Sequence, residues 1–205
     1  MFREFIDWIF AEEKKCLILG NMNAIAYKNV FPLIKNNKLC LGASKEMRNK
    51  EFRVPHNYDI YANNYRIDNN GSKYIGVKGI KWFTNLDHGR RHQPLQLMTM
   101  ADNKKFNKKV IKNNEVYQPY SNYNAIEVSF TDAIPSDYNG VMGVPISFLD
   151  KYCPEQFNIL GLTTSWDNSK EVDLLRKDNK NRNHGIIVGD TREKYVRILI
   201  KHKNI

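Results

Sequence analysis

Apolar residues follow two different rhythms along the chain. Over residues 2–13, Phe2, Phe5, Ile6, Ile9 and Phe10 recur at helical spacing, with Arg3, Glu4, Asp7, Glu12 and Glu13 largely opposite them, which predicts an amphipathic helix. No Ser, Thr, Asp or Asn stands ahead of it as a cap, so the expectation is a helix entered from inside a larger fold. Cys16-Leu17-Ile18-Leu19, ended by Gly20, is a short continuous apolar run of the kind found in strands buried on both faces of a parallel sheet. Asn21 to Ile25 reads as the loop at its carboxyl end. Residues 27–36 predict a helix that tolerates Pro32 only near its first turn, and 38–42 a second short strand. Helix, strand, loop, helix, strand is the grammar of an α/β fold.

Beyond residue 42 the pattern loosens. Residues 43–73 are polar and Asn-rich, with turn signals at Asn63-Asn64 and Asn69-Asn70-Gly71, and read as a surface excursion. Residues 74–86 alternate as strands do and end in Lys81-Trp82-Phe83-Thr84-Asn85-Leu86. Residues 102–115, dominated by Lys104, Lys105, Lys108, Lys109 and Lys112, read either as a basic loop or as a lysine-faced helix. Further strands are expected at 125–128, 142–146, 159–162 and 195–200, with a polar stretch over 167–195 and no internal repeat.

Composition narrows the class. With 205 residues, 41% hydrophobic and 12% aromatic, the chain is large and apolar enough to fold around one core. No run approaches the roughly 20 apolar residues of a membrane span, and the N-terminus lacks a signal-peptide core, so the protein is expected to be cytoplasmic, without a membrane partner. The three cysteines, Cys16, Cys40 and Cys153, are widely spaced, show no zinc-binding pattern and read as buried reduced thiols, so no metal is expected. A net charge of +10 favours a polyanionic partner, nucleic acid above all, although a Lys- and Asn-rich surface can also be merely solvated.

No complete catalytic constellation is present: the chain has no GxSxG, P-loop, HExxH or glycine-rich dinucleotide fingerprint. The most informative local cluster is Trp82-Phe83-Thr84-Asn85-Leu86-Asp87-His88-Gly89-Arg90-Arg91-His92. Its aromatic pair could stack bases, Asn85 could bond an adenine edge, and Arg90 and Arg91 could clamp phosphates or guanine. The competing reading makes Trp82 and Phe83 core residues and the arginines an exposed turn. Asn21 and Asn23, at a strand's carboxyl end, could line a base pocket or cap the next helix. Glu127 and Asp132 have no recognisable proton-transfer partner.

GNMNAI after the first apolar run, FPLIKNNKLCLG, KWFTNLDHGRRH, YNAIEVSFTDAIPSDYNGVMGVPISFLDKYCPEQFNILGL and the closing RILIKHKN resemble consecutive blocks of the EcoRI-like adenine-specific DNA methyltransferases, in that family's order and over nearly the whole chain. The resemblance implies a Rossmann-like domain that transfers a methyl group from S-adenosylmethionine to the N6 of adenine in a short DNA site. In such enzymes a Pro-Pro-aromatic loop preceded by Asn or Asp holds the flipped base and leads into a helix resembling Phe2-Arg3-Glu4-Phe5. This chain departs from that pattern. Its seven prolines, Pro32, Pro55, Pro94, Pro119, Pro135, Pro145 and Pro154, never occur as a pair, and the glycine loop for the cofactor is missing.

The expectation is therefore the C-terminal part of a DNA adenine-N6 methyltransferase of a restriction-modification system, inactive alone and without catalytic residues of its own. Residues 1–42 would be the second half of a partial Rossmann-like sheet, and 43–205 a β-rich part completing the sheet and contacting DNA. Lys78, Lys81, Trp82, Asn85, His88, Arg90 and Arg91 are the candidate contacts to double-stranded DNA, and Asn21 and Asn23 the candidate base-pocket residues. S-adenosylmethionine is expected for the full-length family but not for this chain alone. An N-terminal polypeptide carrying the missing motifs is the expected protein partner. The alternative is a non-enzymatic DNA-binding or assembly module derived from the family; RNA binding ranks below both.

Overall fold

The computed structural model describes residues 2–43, 50–61, 63–114, 116–177 and 184–203. Helix α1 (Phe2–Ala11) precedes strand β1 (Leu17–Asn21), helix α2 (Phe31–Lys35) and strand β2 (Cys40–Leu41). Strands β3 (Lys50–Val54), β4 (Tyr65–Ile67), β5 (Lys73–Val77) and β6 (Ile80–Thr84) follow, then helices α3 (Met100–Phe106) and α4 (Lys108–Lys112). The remainder holds β7 (Ile126–Glu127), β8 (Met142–Pro145), β9 (Phe157–Leu162), helix α5 (Lys170–Leu175) and β10 (Arg197–His202). The class is mixed α/β, with three small sheets ordered β1-β6-β2, β7-β8-β10-β9 and β3-β5-β4.

The first sheet departs from the expected parallel pairing. β6 lies between β1 and β2 and runs antiparallel to both, pairing Leu17 and Cys40 with the same residue, Thr84. β1 and β2 therefore run parallel to each other without touching, joined by α2, whose proline sits in the first turn where its missing N–H costs nothing. Nor is β1 buried on both faces: Gly20 is buried, but Leu17 is 59% exposed. α1 buries Ile6 and Ile9 and leaves Phe5 and Trp8 outside, 46% and 53% exposed with their rings stacked 6.0 Å apart. Its apolar stripe is thus wider than the face it buries.

The second sheet shares one apolar core with the first. Ile6, Phe31 and Phe83 belong to the same buried cluster as Met142, Val144, Phe157 and Ile200. Inside this part sits a fully buried carboxylate. Glu127 accepts from Arg197 Nη2 at 2.8 Å, from Arg197 Nε at 3.0 Å, from Ser129 Oγ at 2.8 Å and from the Tyr120 hydroxyl. Burial first, and the carboxylate second, hold the Tyr120 phenol well above its ordinary pKa, so it remains a donor. The Tyr120 ring fits because Gly143 and Gly185 press against it: a Cβ at either would collide with the ring or its hydroxyl.

The segment expected as a surface excursion, of which residues 44–49 and 62 lie outside the described residues, instead supplies β3 and β4, and these pair on either side of β5 from the stretch expected as strands. The Asn69-Asn70-Gly71 signal is a real turn, with Gly71 at φ 76° and the Asp68 carboxylate capping Asn70 N and Ser72 N. The basic stretch resolves into α3 and α4, lysine-faced helices that bury Asn103 and Val110. In the polar stretch after 167, α5 buries Val172. Residues 178–183 of that stretch lie outside the described residues.

Replacing Glu127 with Ala strands the Arg197 guanidinium in the interior, and removing one member of a buried pair costs about 3–5 kcal/mol. Urea unfolding monitored by tryptophan fluorescence should show a loss of that size; a change within experimental error would remove Glu127 as an organiser of the fold.

Candidate nucleic-acid interface

The topology of the first sheet sorts the expected contact residues by position. Because β6 runs opposite to β1 and β2, its start lies at their carboxyl ends: Ile80 pairs with Asn21, and Met22 N donates to Gly79 O at 2.7 Å. Lys78 is thereby set opposite the Met22–Asn23 segment. Asn21 caps the 3-10 turn Met22–Ala26, its side-chain oxygen accepting from Asn23 N at 2.8 Å, and both asparagines stay exposed. Lys81, one residue into β6, is drawn aside by Asp150, whose carboxylate oxygens accept from its ammonium at 2.7 and 2.8 Å.

At the other end of β6 the chain turns back along the outer side of β2. Asn85 spends both halves of its amide there: Oδ1 accepts from Cys16 N at 2.8 Å and Nδ2 donates to Lys14 O at 2.8 Å. The His88 ring lies 2.9 Å from Leu41 O. Arg90 reaches Ala43 O at 2.8 Å, next to the carboxyl end of β2, whereas Arg91 reaches Asn37 Oδ1 at 2.7 Å, near its amino end. Phe83 is fully buried and Trp82 half-buried against Gly42, whose position leaves no room for a Cβ beside the indole. Asn21, Asn23, Lys78 and Arg90 thus gather at the strand-carboxyl side, while Asn85 and the Arg91 side chain point away from it.

The turn carrying the two arginines is held by a clamp that the local sequence only half reveals. His92 Nε2 meets Asp87 Oδ1 at 2.9 Å, and His92 Nδ1 meets Glu155 Oε1 at 2.8 Å. Glu155 also accepts from the Cys153 thiol at 3.2 Å. The Asp87 carboxylate, and after it Glu155, hold His92 above its ordinary pKa. The bond from His92 lowers Asp87; the Cys153 thiol, then His92, lowers Glu155. Asp87 and His92 are neighbours in the sequence, but Glu155 lies 63 residues on and carries no local signal. Burial pushes the Cys40 and Cys153 thiols up, and all three cysteines are unpaired.

Among the described residues, the cavities near these side chains are either small or open to solvent. One of about 20 Å³, lined by Cys40, His88, Arg91 and Tyr152 among others, has room for a single water. A groove of about 340 Å³ between Arg90, Gln93, Leu95, Asp132 and Lys151 is open to solvent. Neither encloses a ligand as small-molecule sites of several hundred Å³ do.

A lysine- and arginine-bearing edge beside strand ends fits a polyanion, and sequence comparison identifies which kind of protein carries it. The sequence model of the adenine-specific methyltransferase EcoRI family matches residues 1–203. The chain belongs to that family. It is 40% identical over 205 residues to the type II methyltransferase M.EcoRI of Escherichia coli, covering 100% of this chain and 55% of that protein. It is 33% identical over 216 residues to the type II methyltransferase M.MgeORF184P of Mycoplasma genitalium, covering 100% of this chain and 62% of the relative. With the type II methyltransferase M.MpnI of Mycoplasma pneumoniae the identity is 30% over 211 residues, covering 99% of this chain and 61% of the relative. The chain thus spans between 55% and 62% of the length of these curated relatives. No solved structure matches. For the EcoRI family member described here, no helix among the described residues is long and apolar enough to cross a membrane.

The clamp has a pH window with a definite sign. His92, raised in the folded state, contributes fully below its unfolded pKa and loses that contribution as pH rises through its raised value; Asp87 and Glu155, lowered, lose theirs as pH falls through their depressed values. In a proton NMR titration the His92 ring should show a midpoint above that of a histidine in an unstructured peptide, and Asp87→Asn or Glu155→Gln should each lower it. A midpoint unmoved by both substitutions would mean the clamp does not hold in solution.

Proposed function

We propose that this chain is the C-terminal part of a type II, S-adenosylmethionine-dependent DNA methyltransferase acting on adenine N6 within a restriction-modification system, and that it is inactive by itself. On this reading residues 1–42, with β6 inserted between β1 and β2, form the second half of a Rossmann-like sheet, and the rest of 43–205 buttresses it and contacts duplex DNA. The observation that carries the reading is an unfinished margin. Among the described residues β1 has a neighbour on one side only, its Leu17 stands in solvent, and so do Phe5 and Trp8 of α1. An open strand edge next to exposed apolar side chains marks a surface that another element covers.

The division of labour follows from chemistry. S-adenosylmethionine supplies an electrophilic methyl group to the adenine nitrogen. The cavities described above are too small or too open for it, so its pocket and the loop that grips the flipped base belong to the part of the fold beyond the β1 margin, supplied by an N-terminal polypeptide. This chain would hold the duplex and wall the pocket. Asn21 and Asn23 lie on the side of the sheet where open α/β sheets bind ligands. Lys78 and Arg90 flank them, and Lys81 could join by leaving Asp150. Trp82, Asn85, His88 and Arg91 then act as supports that shape the turn, since their polar groups face the protein backbone or its core.

The test is complementation. Co-expressed with the portion of a family relative that this chain does not span, it should transfer labelled methyl groups to duplex adenine, with neither piece active alone. Trp8→Asp and Leu17→Asp should each abolish the transfer and the association of the pieces. A pair that associates without any methyl transfer would favour the non-enzymatic DNA-binding module instead.

Charge reversal at Arg90, with Arg91 neutralised, tests the contact surface separately. Each lost phosphate contact reduces the slope of log K against log[salt] by about 0.9. Arg90→Glu with Arg91→Asn should weaken duplex binding and flatten the slope by about 1 if Arg90 alone touches DNA. An unchanged slope would take Arg90 off the phosphates.

A further inference from the structure

The β3-β5-β4 sheet is the least accounted-for element of the chain. None of its strand residues joins either apolar core cluster, and all of β4 is exposed. A three-stranded sheet with both faces uncovered is marginal by itself and implies a partner. The pairing register sorts its side chains onto two faces. Phe52, Tyr65 and Ile75 stand opposite one another on the first; Arg53, Tyr74 and Arg66 form a row straight across all three strands on the second.

We propose that this second face is a duplex-binding surface, with Arg53 and Arg66 as paired phosphate or base-edge contacts flanking Tyr74. The inference rests on the reading above that the partner is duplex DNA, and it adds a contact element that reading does not include. Three observations support it. First, the row is preorganised: the Arg66 guanidinium carbon lies 4.2 Å over the Tyr74 ring, with Nε anchored to Glu51 at 2.7 Å, which turns the remainder of its planar fork outward. Arg53, exposed, has no ion-pair partner among the described residues.

Second, the segment carries more positive than negative charge. Residues 50–78 hold Lys50, Arg53, Arg66, Lys73 and Lys78 against Glu51, Asp59 and Asp68. Glu51 is engaged by Arg66, and Asp68 is spent on its own turn. By alternation Arg53 and Arg66 share their face with Glu51 and Gly76, where the Asn64 amide leaves no room for a Cβ. Third, the sheet is joined to the strand-end site. β5 ends at Val77 and β6 begins at Ile80, so only Lys78 and Gly79, the latter at φ 69°, separate it from the Asn21–Asn23 edge.

The experiment uses the full chain and a fluorescein-labelled duplex, with anisotropy measured over a series of salt concentrations. Arg53→Gln, which breaks no ion pair, should weaken binding and reduce the salt slope by about 1, and R53Q/R66Q by about 2, while R53K/R66K keeps the parental slope. Unaltered thermal melting separates these effects from misfolding. Parental affinity and slope in both Gln variants would overturn the proposal while leaving the strand-end site standing. A parental chain with no salt-dependent duplex binding would sink both readings. If Phe52→Ser disperses a dimer in sedimentation while Arg53→Gln leaves DNA binding intact, the sheet is a self-association surface and the assignment fails.

Discussion

Strand β6 hydrogen-bonds to two strands that do not reach each other, and most of what the molecule presents follows from its direction. β1 and β2 run parallel, joined by the short helix α2, and the antiparallel strand between them satisfies both inner edges. The junction is Thr84, which pairs with Leu17 and Cys40 at once, donates its hydroxyl to Cys16 O at 2.7 Å and accepts from Leu86 N at 3.1 Å. Slipping β6 by one residue would exchange buried Phe83 for half-buried Trp82 and turn Lys81 away from Asp150. The same polarity puts Lys78 and Gly79 beside Asn21, and sends the segment after β6 back along β2 to deliver Arg90. Position along one strand therefore decides which basic residues share a surface.

The second sheet solves a different problem, the burial of a charge. Glu127 in β7 and Arg197 in β10 are separated by β8, which presents Gly143 between them, paired to both Glu127 and Leu199. With no side chain there, the Tyr120 ring crosses over and its hydroxyl completes the set of donors. Desolvating such a pair is expensive, so it adds little net stability over an apolar equivalent. What it does provide is register: a shift in β7 or β10 would leave a charge unpaired in the interior. The buried polar group thus acts as a lock on strand order, in a sheet where β7 is two residues long and has few hydrogen bonds of its own.

Elements set by local pattern were legible in the sequence, and those set by distant partners were not. α1, β1, α2, β2, β8, β9 and β10 lie where apolar spacing predicts them, because each buries one face or run in the core. The antiparallel insertion of β6 was invisible, since an apolar run specifies a strand but not its neighbour. β3 and β4 read as turn-rich surface because strands this exposed enforce no alternation of apolar and polar residues, whereas β5 falls in the stretch that does alternate. The Asp87–His92 cluster was recognisable as chemistry, yet its second carboxylate, Glu155, and the partner of Glu127, Arg197, lie 63 and 70 residues away. Asn85 misleads for a physical reason: a short amide at a strand end serves backbone groups as readily as a base edge.

The molecule leaves two kinds of surface uncovered, and their chemistry argues for two different partners. Among the described residues β1 lacks a second neighbour and Leu17 is exposed, as are Phe5 and Trp8 of α1; apolar burial gains about 25 cal/mol per Å², and strand edges need peptide donors and acceptors, neither of which a phosphate backbone offers. On the β3-β5-β4 sheet, arginines beside a tyrosine gain by releasing counterions from a polyanion, which another protein core does not supply. The two surfaces also sit apart: one borders the sheet sideways, while the other departs from the start of β6 at the strand-carboxyl end. Completing the sheet therefore does not obstruct the face proposed for DNA. On the reading proposed above, an N-terminal polypeptide closes against β1 while the basic surfaces stay turned to the duplex.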